Sequence, residues 1–128
     1  MPAGAIDLKR TYLHFAPTLD IEAHDVGPQF WSDLSARRLR LEGRLVGCVH
    51  LKQGPLDHWE RHPAGDEFLL LLSGALSVVL EASSGQREVP LKAGEAFVVP
   101  AGSWHTFVVA QAGDLVFATP GEGTEHRV

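Results

Sequence analysis

The chain has 128 residues, enough for one domain with a real hydrophobic core, and a formal net charge of −5. That acidic balance argues against a nucleic-acid partner, because phosphate binding asks for a basic footprint. A lone Cys48 leaves no internal disulfide, the N-terminus lacks the apolar core of a signal peptide, and the longest uncharged stretch (68–80) is too short to span a bilayer. A soluble cytoplasmic protein that keeps away from membranes is expected.

Taken in chain order, the pattern is almost all strand and turn. Residues 12–15 and 19–24 read as short strands, Gly27-Pro28 breaks them, and 29–35 has room for a helical turn. Arg37, Arg38 and Arg40 alternate with Leu39 and Leu41, the pattern of a half-buried strand with a solvated face. A turn at Glu42-Gly43 leads into a strand over 44–52. Strands are then expected at 58–62, 67–72 and 75–81, the last two joined as a hairpin through Ser73-Gly74. Further strands fall at 88–91, 96–99, 104–109 and 115–118, and the segment from Thr119 is read as mobile. Many short strands with turn residues between them mean a sandwich or a barrel.

Two stretches concentrate the chemistry. Side chains two apart on a strand share a face, so Glu60 and His62 project together, with His58 on the same face. Across a straight strand, His58 and His62 have Cα atoms ~13 Å apart, the limit for two imidazoles on one ion. His58 is therefore placed at the pocket rim or behind the ligands. If Glu67 points inward, Leu69 and Leu71 follow it; if His105 does, so do Phe107 and Val109. Phe68, Leu70, Leu72 and Trp104 then face outward, and a strand apolar on both faces needs cover on both. The N-terminal arm or a second copy of the chain would provide it. Cys48 and His50 share a face of the preceding strand. Cys48 reads as packing, with pocket lining the sharper alternative for the pair. His14, His24 and His126 read as surface residues, and Trp31 and Trp59 as packing residues. No phosphate-binding Gly-rich loop, Ser nucleophile elbow or Cys-x-x-Cys pair is present.

The spacings resemble those of the cupin family. Its first motif runs Gly, five residues, His-x-His, three or four residues, Glu, six residues, Gly; here the corresponding positions are Gly54, Glu60, His62, Glu67 and Gly74. Its second motif runs Gly, five residues, Pro-x-Gly, two residues, His, three residues, Asn; here they are Gly94, Pro100, Gly102, His105 and Val109. Glu60 thus stands where the family has its first His, and Val109 where it has Asn. The resemblance implies an all-β fold, a double-stranded β-helix or jelly-roll barrel. It makes 1–128 a single domain: an N-terminal arm with edge strands over 1–42, a barrel core over 43–118 and a flexible tail over 119–128. It also implies one divalent metal ion (Mn, Fe, Ni or Zn) on Glu60, His62, Glu67 and His105. His58, Leu69, Phe107 and Val109 would form the pocket or stand behind the ligands, and the outer sheet would mediate a homodimer.

Cupins carry many activities, so the resemblance leaves function open. A metal-dependent enzyme of oxygenase or isomerase type, acting on a small molecule in the barrel mouth, is one reading. A metal-free binding or sensing module without catalysis is the alternative, and a metal-free acid/base enzyme using Glu60 or His105 is a third. Two neutral imidazoles and two carboxylates leave a divalent ion near zero net charge, where the usual three-imidazole set leaves about +1. Without metal, Glu60 and Glu67 are expected to crowd each other until one keeps its proton near neutral pH.

Overall fold

The computed structural model describes residues 4–36 and 41–128. Alternating apolar and polar residues build two antiparallel sheets that face each other across one core. The first sheet has the order β2 (Ile21–Asp25), β1 (Thr11–Phe15), β3 (Arg44–Leu51), β11 (Gly113–Thr119), β6 (Glu67–Leu71), β9 (Ala96–Val99). The second runs β12 (Glu125–Arg127), β5 (Trp59–Arg61), β10 (His105–Gln111), β7 (Ala75–Ala82), β8 (Gly85–Lys92), with β4 (Gly54–Pro55) also on β10. This is a jelly-roll barrel. The expected strand at 39–41 and its arginine alternation lie mostly outside the described residues; Leu41 itself is buried and not in a strand.

Strand parity sorts the side chains. Glu67, Leu69 and Leu71 are buried while Phe68 and Leu72 are exposed, and His105, Phe107 and Val109 are buried together. Leu45, Val78, Val99 and Leu115 complete the most deeply buried layer. The one helix among the described residues, α1 (Phe30–Ser35), buries Phe30 and Leu34, which lie four apart and so share a face. Tyr12 joins it to the barrel, its ring edge-on to Phe30 at 5.5 Å and to Phe117 at 5.2 Å.

Three expectations are corrected. The hairpin through Ser73-Gly74 does not form: β6 pairs with β9 and β11, whereas β7 pairs with β8 and β10. Ser73-Gly74 is instead a corner that carries the chain from one sheet to the other. Gly74 sits there at φ 82°, and a Cβ would come within 2.4 Å of the Gln111 carbonyl oxygen, so only glycine fits. The segment after Thr119 is not a loose tail, because β12 pairs with β5. Arg127 holds it down, its guanidinium 4.5 Å from the Trp104 ring and 5.5 Å from that of Trp59, and Arg61 forks onto Glu125 at 3.0 and 3.1 Å. Finally, the N-terminal arm adds β1 and β2 beside β3 at one edge of the first sheet rather than covering Phe68, Leu72 and Val98, which stay 38–52% exposed.

Candidate metal centre

Four side chains meet where the two sheets approach at the barrel mouth. Glu60 on β5 lies opposite His105, the first residue of β10. His62 follows β5 directly, and its carbonyl accepts the Gly102 amide, tying the two motifs together. Glu67 opens β6 on the opposing sheet. His62 Nε2 lies 3.2 Å from Glu67 Oε2 and 3.5 Å from Glu60 Oε1. His105 Nε2 lies 3.0 Å from Glu67 Oε1 and 3.8 Å from Glu60 Oε1. One donor atom from each of the four residues falls within 4.8 Å of the others.

The outer nitrogens fix how the rings present themselves. His105 Nδ1 is 3.0 Å from the Ser103 carbonyl, an acceptor only, so Nδ1 carries hydrogen there. Thr124 donates its hydroxyl to the Pro120 carbonyl and accepts from His62 Nδ1 at 2.9 Å. Both rings therefore aim Nε2 at the cluster, the arrangement in which imidazoles bind metals. Thr119 donates to Glu67 Oε2 and orients the carboxylate.

The separations allow ion pairing, but the directions are poor for hydrogen bonds. His62 Nε2, His105 Nε2 and Glu67 Oε1 are buried with no hydrogen-bond partner among the described residues. Native interiors rarely leave such atoms unsatisfied. A divalent ion among them would satisfy all three, and an N₂O₂ donor set is chemically suited to Mn²⁺, Fe²⁺ or Zn²⁺.

The cupin domain profile matches residues 47–118, more than half of the chain. This chain belongs to the cupin family. Among solved structures, it is similar to a cupin-2 domain protein from Shewanella frigidimarina, with 21% identity and a TM-score of 0.52 over 64% of this chain and 74% of that one. It is also similar to the hydroxypropylphosphonic acid epoxidase of S. wedmorenis, with 23% identity and a TM-score of 0.52 over 60% of this chain and 43% of that one. A conserved protein of unknown function from Streptococcus pyogenes matches at 19% identity and a TM-score of 0.54, over 64% of this chain and 68% of that one. At these identities the likeness carries the fold alone. No curated protein matches the sequence.

In this cupin Glu60, His62 and Glu67 line a cavity of about 420 Å³, and His105, 3.0 Å from Glu67, is not among its lining residues. Leu69 and Phe107 line it, as does His58 at the rim. Val109 is buried in the core and is not among the lining residues. Cys48 and His50 also stay off the cavity wall: Leu45, Val49 and Leu51 alternate with them and face inward, while His50 pairs with Asp114 at 2.8 Å.

Sequence reasoning missed three neighbours of the cluster. Thr119 was legible, since it shares strand parity with the inward Leu115 and Phe117. Thr124 and His126 were not, because nothing local marks their segment as packed. His126 Nε2 approaches Glu60 Oε2 at 3.3 Å, and its ring stands 5.6 Å from that of His58. Glu60 therefore faces His62 and His105 through one oxygen and His126 through the other.

Protonation also departs from expectation. Burial pushes the Glu60 and Glu67 carboxyls up, but the imidazoles of His126, His62 and His105 outweigh it at Glu60, and those of His105 and His62 at Glu67, so both lie below their ordinary values. Burial likewise pulls the imidazoles down, yet the two carboxylates raise His62 to about 9 and His105 above its ordinary value. The proton expected to stay on one of the crowded glutamates is not retained, since both carboxyls are lowered. The imidazoles stand beside both carboxylates and take the protons instead.

Proposed function

We propose that this cupin binds one divalent metal ion through Glu60, His62, Glu67 and His105 and acts on, or holds, a small molecule in the barrel mouth. The observation that carries the reading is the set of three buried, unpartnered ligand atoms turned toward one another. Two carboxylates favour a harder ion, Mn²⁺ or Fe²⁺, over copper. When bound, such an ion supplies Lewis acidity and open positions suited to oxygenase or isomerase chemistry. The chain's own residues do the rest. Leu45, Leu69, Phe107, Leu115 and Phe117 form an apolar wall that takes the body of a molecule and excludes water, while His58 and His126 face its polar end at the rim.

Metal analysis of untagged protein tests this directly: the wild type should hold about one ion per chain more than His62→Ala. Equal metal in the wild type and His62→Ala after exposure to excess Mn²⁺, Fe²⁺, Ni²⁺ and Zn²⁺ would favour a binding cupin without metal at the barrel mouth. That second reading has its own support, since His62 and His105, both raised by the neighbouring carboxylates against the effect of burial, pair with Glu60 and Glu67 without an ion. Glu60→His should shift preference toward Ni²⁺ or Zn²⁺ over Mn²⁺ in competition titrations. His58→Ala should leave affinity almost unchanged. Thr124→Val removes the acceptor that orients His62 and should weaken Mn²⁺ binding about 10- to 100-fold by calorimetry, with circular dichroism unaltered.

We also infer a homodimer through the outer face of the first sheet. Phe68 and Val98 pair across β6 and β9 there, with Leu72 nearby, and large exposed apolar patches are unusual on monomers. Light scattering should give about twice the chain mass of 13.9 kDa; a clean monomer at high concentration defeats the dimer.

A further inference from the structure

We propose that His14, Glu22 and His24 form a second and separate metal site, suited to Zn²⁺, on the N-terminal hairpin. β1 and β2 pair with His14 opposite Glu22. His24 lies two residues beyond Glu22 and so shares its face. One donor atom from each of the three residues lies within 4.8 Å of the others. The two rings stand 6.1 Å apart, inclined at 61°.

The tautomers and the burial give the cluster its direction. His14 is 7% exposed, and its Nε2 meets the Glu42 carbonyl. A carbonyl only accepts, so the hydrogen sits on Nε2 and the lone pair on Nδ1. That Nδ1 is sealed from solvent and has no hydrogen-bond partner among the described residues; the same holds for Nε2 of His24. Glu22 Oε2 is 4.0 Å from that nitrogen, too far for a hydrogen bond, and its side chain is 62% exposed and free to move inward. Leaving two imidazole nitrogens buried and unpaired is costly. One ion would satisfy both.

Two imidazoles and one carboxylate with a fourth position open to water is a standard donor set for four-coordinate Zn²⁺. The backbone carbonyl on the far nitrogen of His14 is the outer contact that usually orients a metal-binding imidazole. None of the three residues lines the barrel cavity, so this site is distinct from the one at the mouth. Its place suits a clamp: it would pin β1 to the edge strand β2, and β1 carries Tyr12 into the aromatic cluster with Phe30 and Phe117.

The test counts ions. Untagged protein is stripped with a chelator, equilibrated with Zn²⁺, desalted and analysed for metal per chain. His24→Gln and Glu22→Gln, both on an edge strand, should each hold one ion fewer than the wild type. The difference between proteins reads the hairpin, whether the barrel site fills or stays empty, so this result and the barrel reading fail separately. In unmutated protein, Zn²⁺ should shift the ring-nitrogen resonances of Nδ1 in His14 and Nε2 in His24. If both variants hold as much zinc as the wild type, or if those resonances do not move, the site does not exist.

Discussion

Metal-free protein should melt at a higher temperature at pH 6 than at pH 8.5, and Mn²⁺ should stabilise it more at pH 8.5 than at pH 6. The first half follows from His62, whose ordinary value of 6.5 is raised to about 9 by Glu60 and Glu67 against the opposing effect of burial. A group raised in the folded state contributes stability that is complete below its unfolded value and is lost as pH climbs through the folded one. The loss therefore runs from about pH 6.5 to about pH 9, at up to ~1.4 kcal/mol per pH unit for each such proton. His105 is raised too and adds in the same direction. Glu60 and Glu67 are lowered, so their contribution is present above the ordinary carboxylate range and fails only in acid. Metal reverses the slope because it needs the Nε2 lone pairs. Below about pH 9 an ion must displace the proton on His62, so affinity should rise roughly tenfold per pH unit for each proton released. Thermal melts at both pH values, with and without Mn²⁺, read the two slopes. A metal-free melting temperature that is flat from pH 6 to 8.5 would remove the ion pairs from the account.

Strand periodicity is local, and it placed the inward residues of β6 and β10 because Glu67-x-Leu69-x-Leu71 and His105-x-Phe107-x-Val109 alternate with a period of two. Partner choice is not local. Ser73-Gly74 carries the same turn chemistry whether the next strand folds back as a hairpin or crosses to the other sheet, and the backbone of Gln111 and Ala112 packed against Gly74 is visible only in three dimensions. The last ten residues mislead for a related reason. Their glycines read as loose chain, while their anchors, Trp59, Trp104, Glu81 and His62, lie far away in sequence. The histidines of the N-terminal hairpin read as surface residues, yet His14 is buried. Tyr12 and His14 share parity, so a buried Tyr12 brings His14 inward; the loop carbonyl of Glu42 that meets it was not foreseeable.

That Glu60, His62, Glu67 and His105 come together was legible because motif spacing survives substitution, but the electrostatics were not. Counting two glutamates suggests repulsion, and repulsion suggests a retained proton. That reasoning omits direction. His62 Nε2 lies within 3.5 Å of an oxygen of each glutamate and His105 Nε2 within 3.8 Å, and attraction to these two imidazoles outweighs the repulsion between the carboxylates. Replacing the family's first histidine with Glu60 therefore sets two carboxylates against two imidazoles whose hold on a proton they strengthen. The same four groups, once deprotonated, neutralise a divalent ion.

His62→Ala should have the largest effect of any single substitution at the mouth. It removes one of two imidazole ligands, and Mn²⁺ affinity should fall at least ~100-fold, beyond the range expected for losing an outer contact. It also removes the cation that touches both carboxylates in a nearly closed site, where His62 is 4% exposed and Glu67 3%. Breaking a buried ion pair from one side typically costs about 3–5 kcal/mol, so metal-free His62→Ala should melt well below the wild type. Thr124 loses the His62 contact as well and keeps only Pro120, which should loosen the segment leading to β12, read as faster amide exchange over 120–127. His62→Gln separates these roles. Its amide can still reach Thr124 and keep that segment in place, yet it brings neither the charge nor a strong metal ligand. Amide exchange should then recover while affinity stays low. Free imidazole added to His62→Ala should restore part of the Mn²⁺ binding by occupying the vacated space, an effect that a purely structural role would not produce. If His62→Ala binds Mn²⁺ within about threefold of the wild type, His62 is no ligand. The barrel mouth would then have to be read as a metal-free pocket held by its own ion pairs.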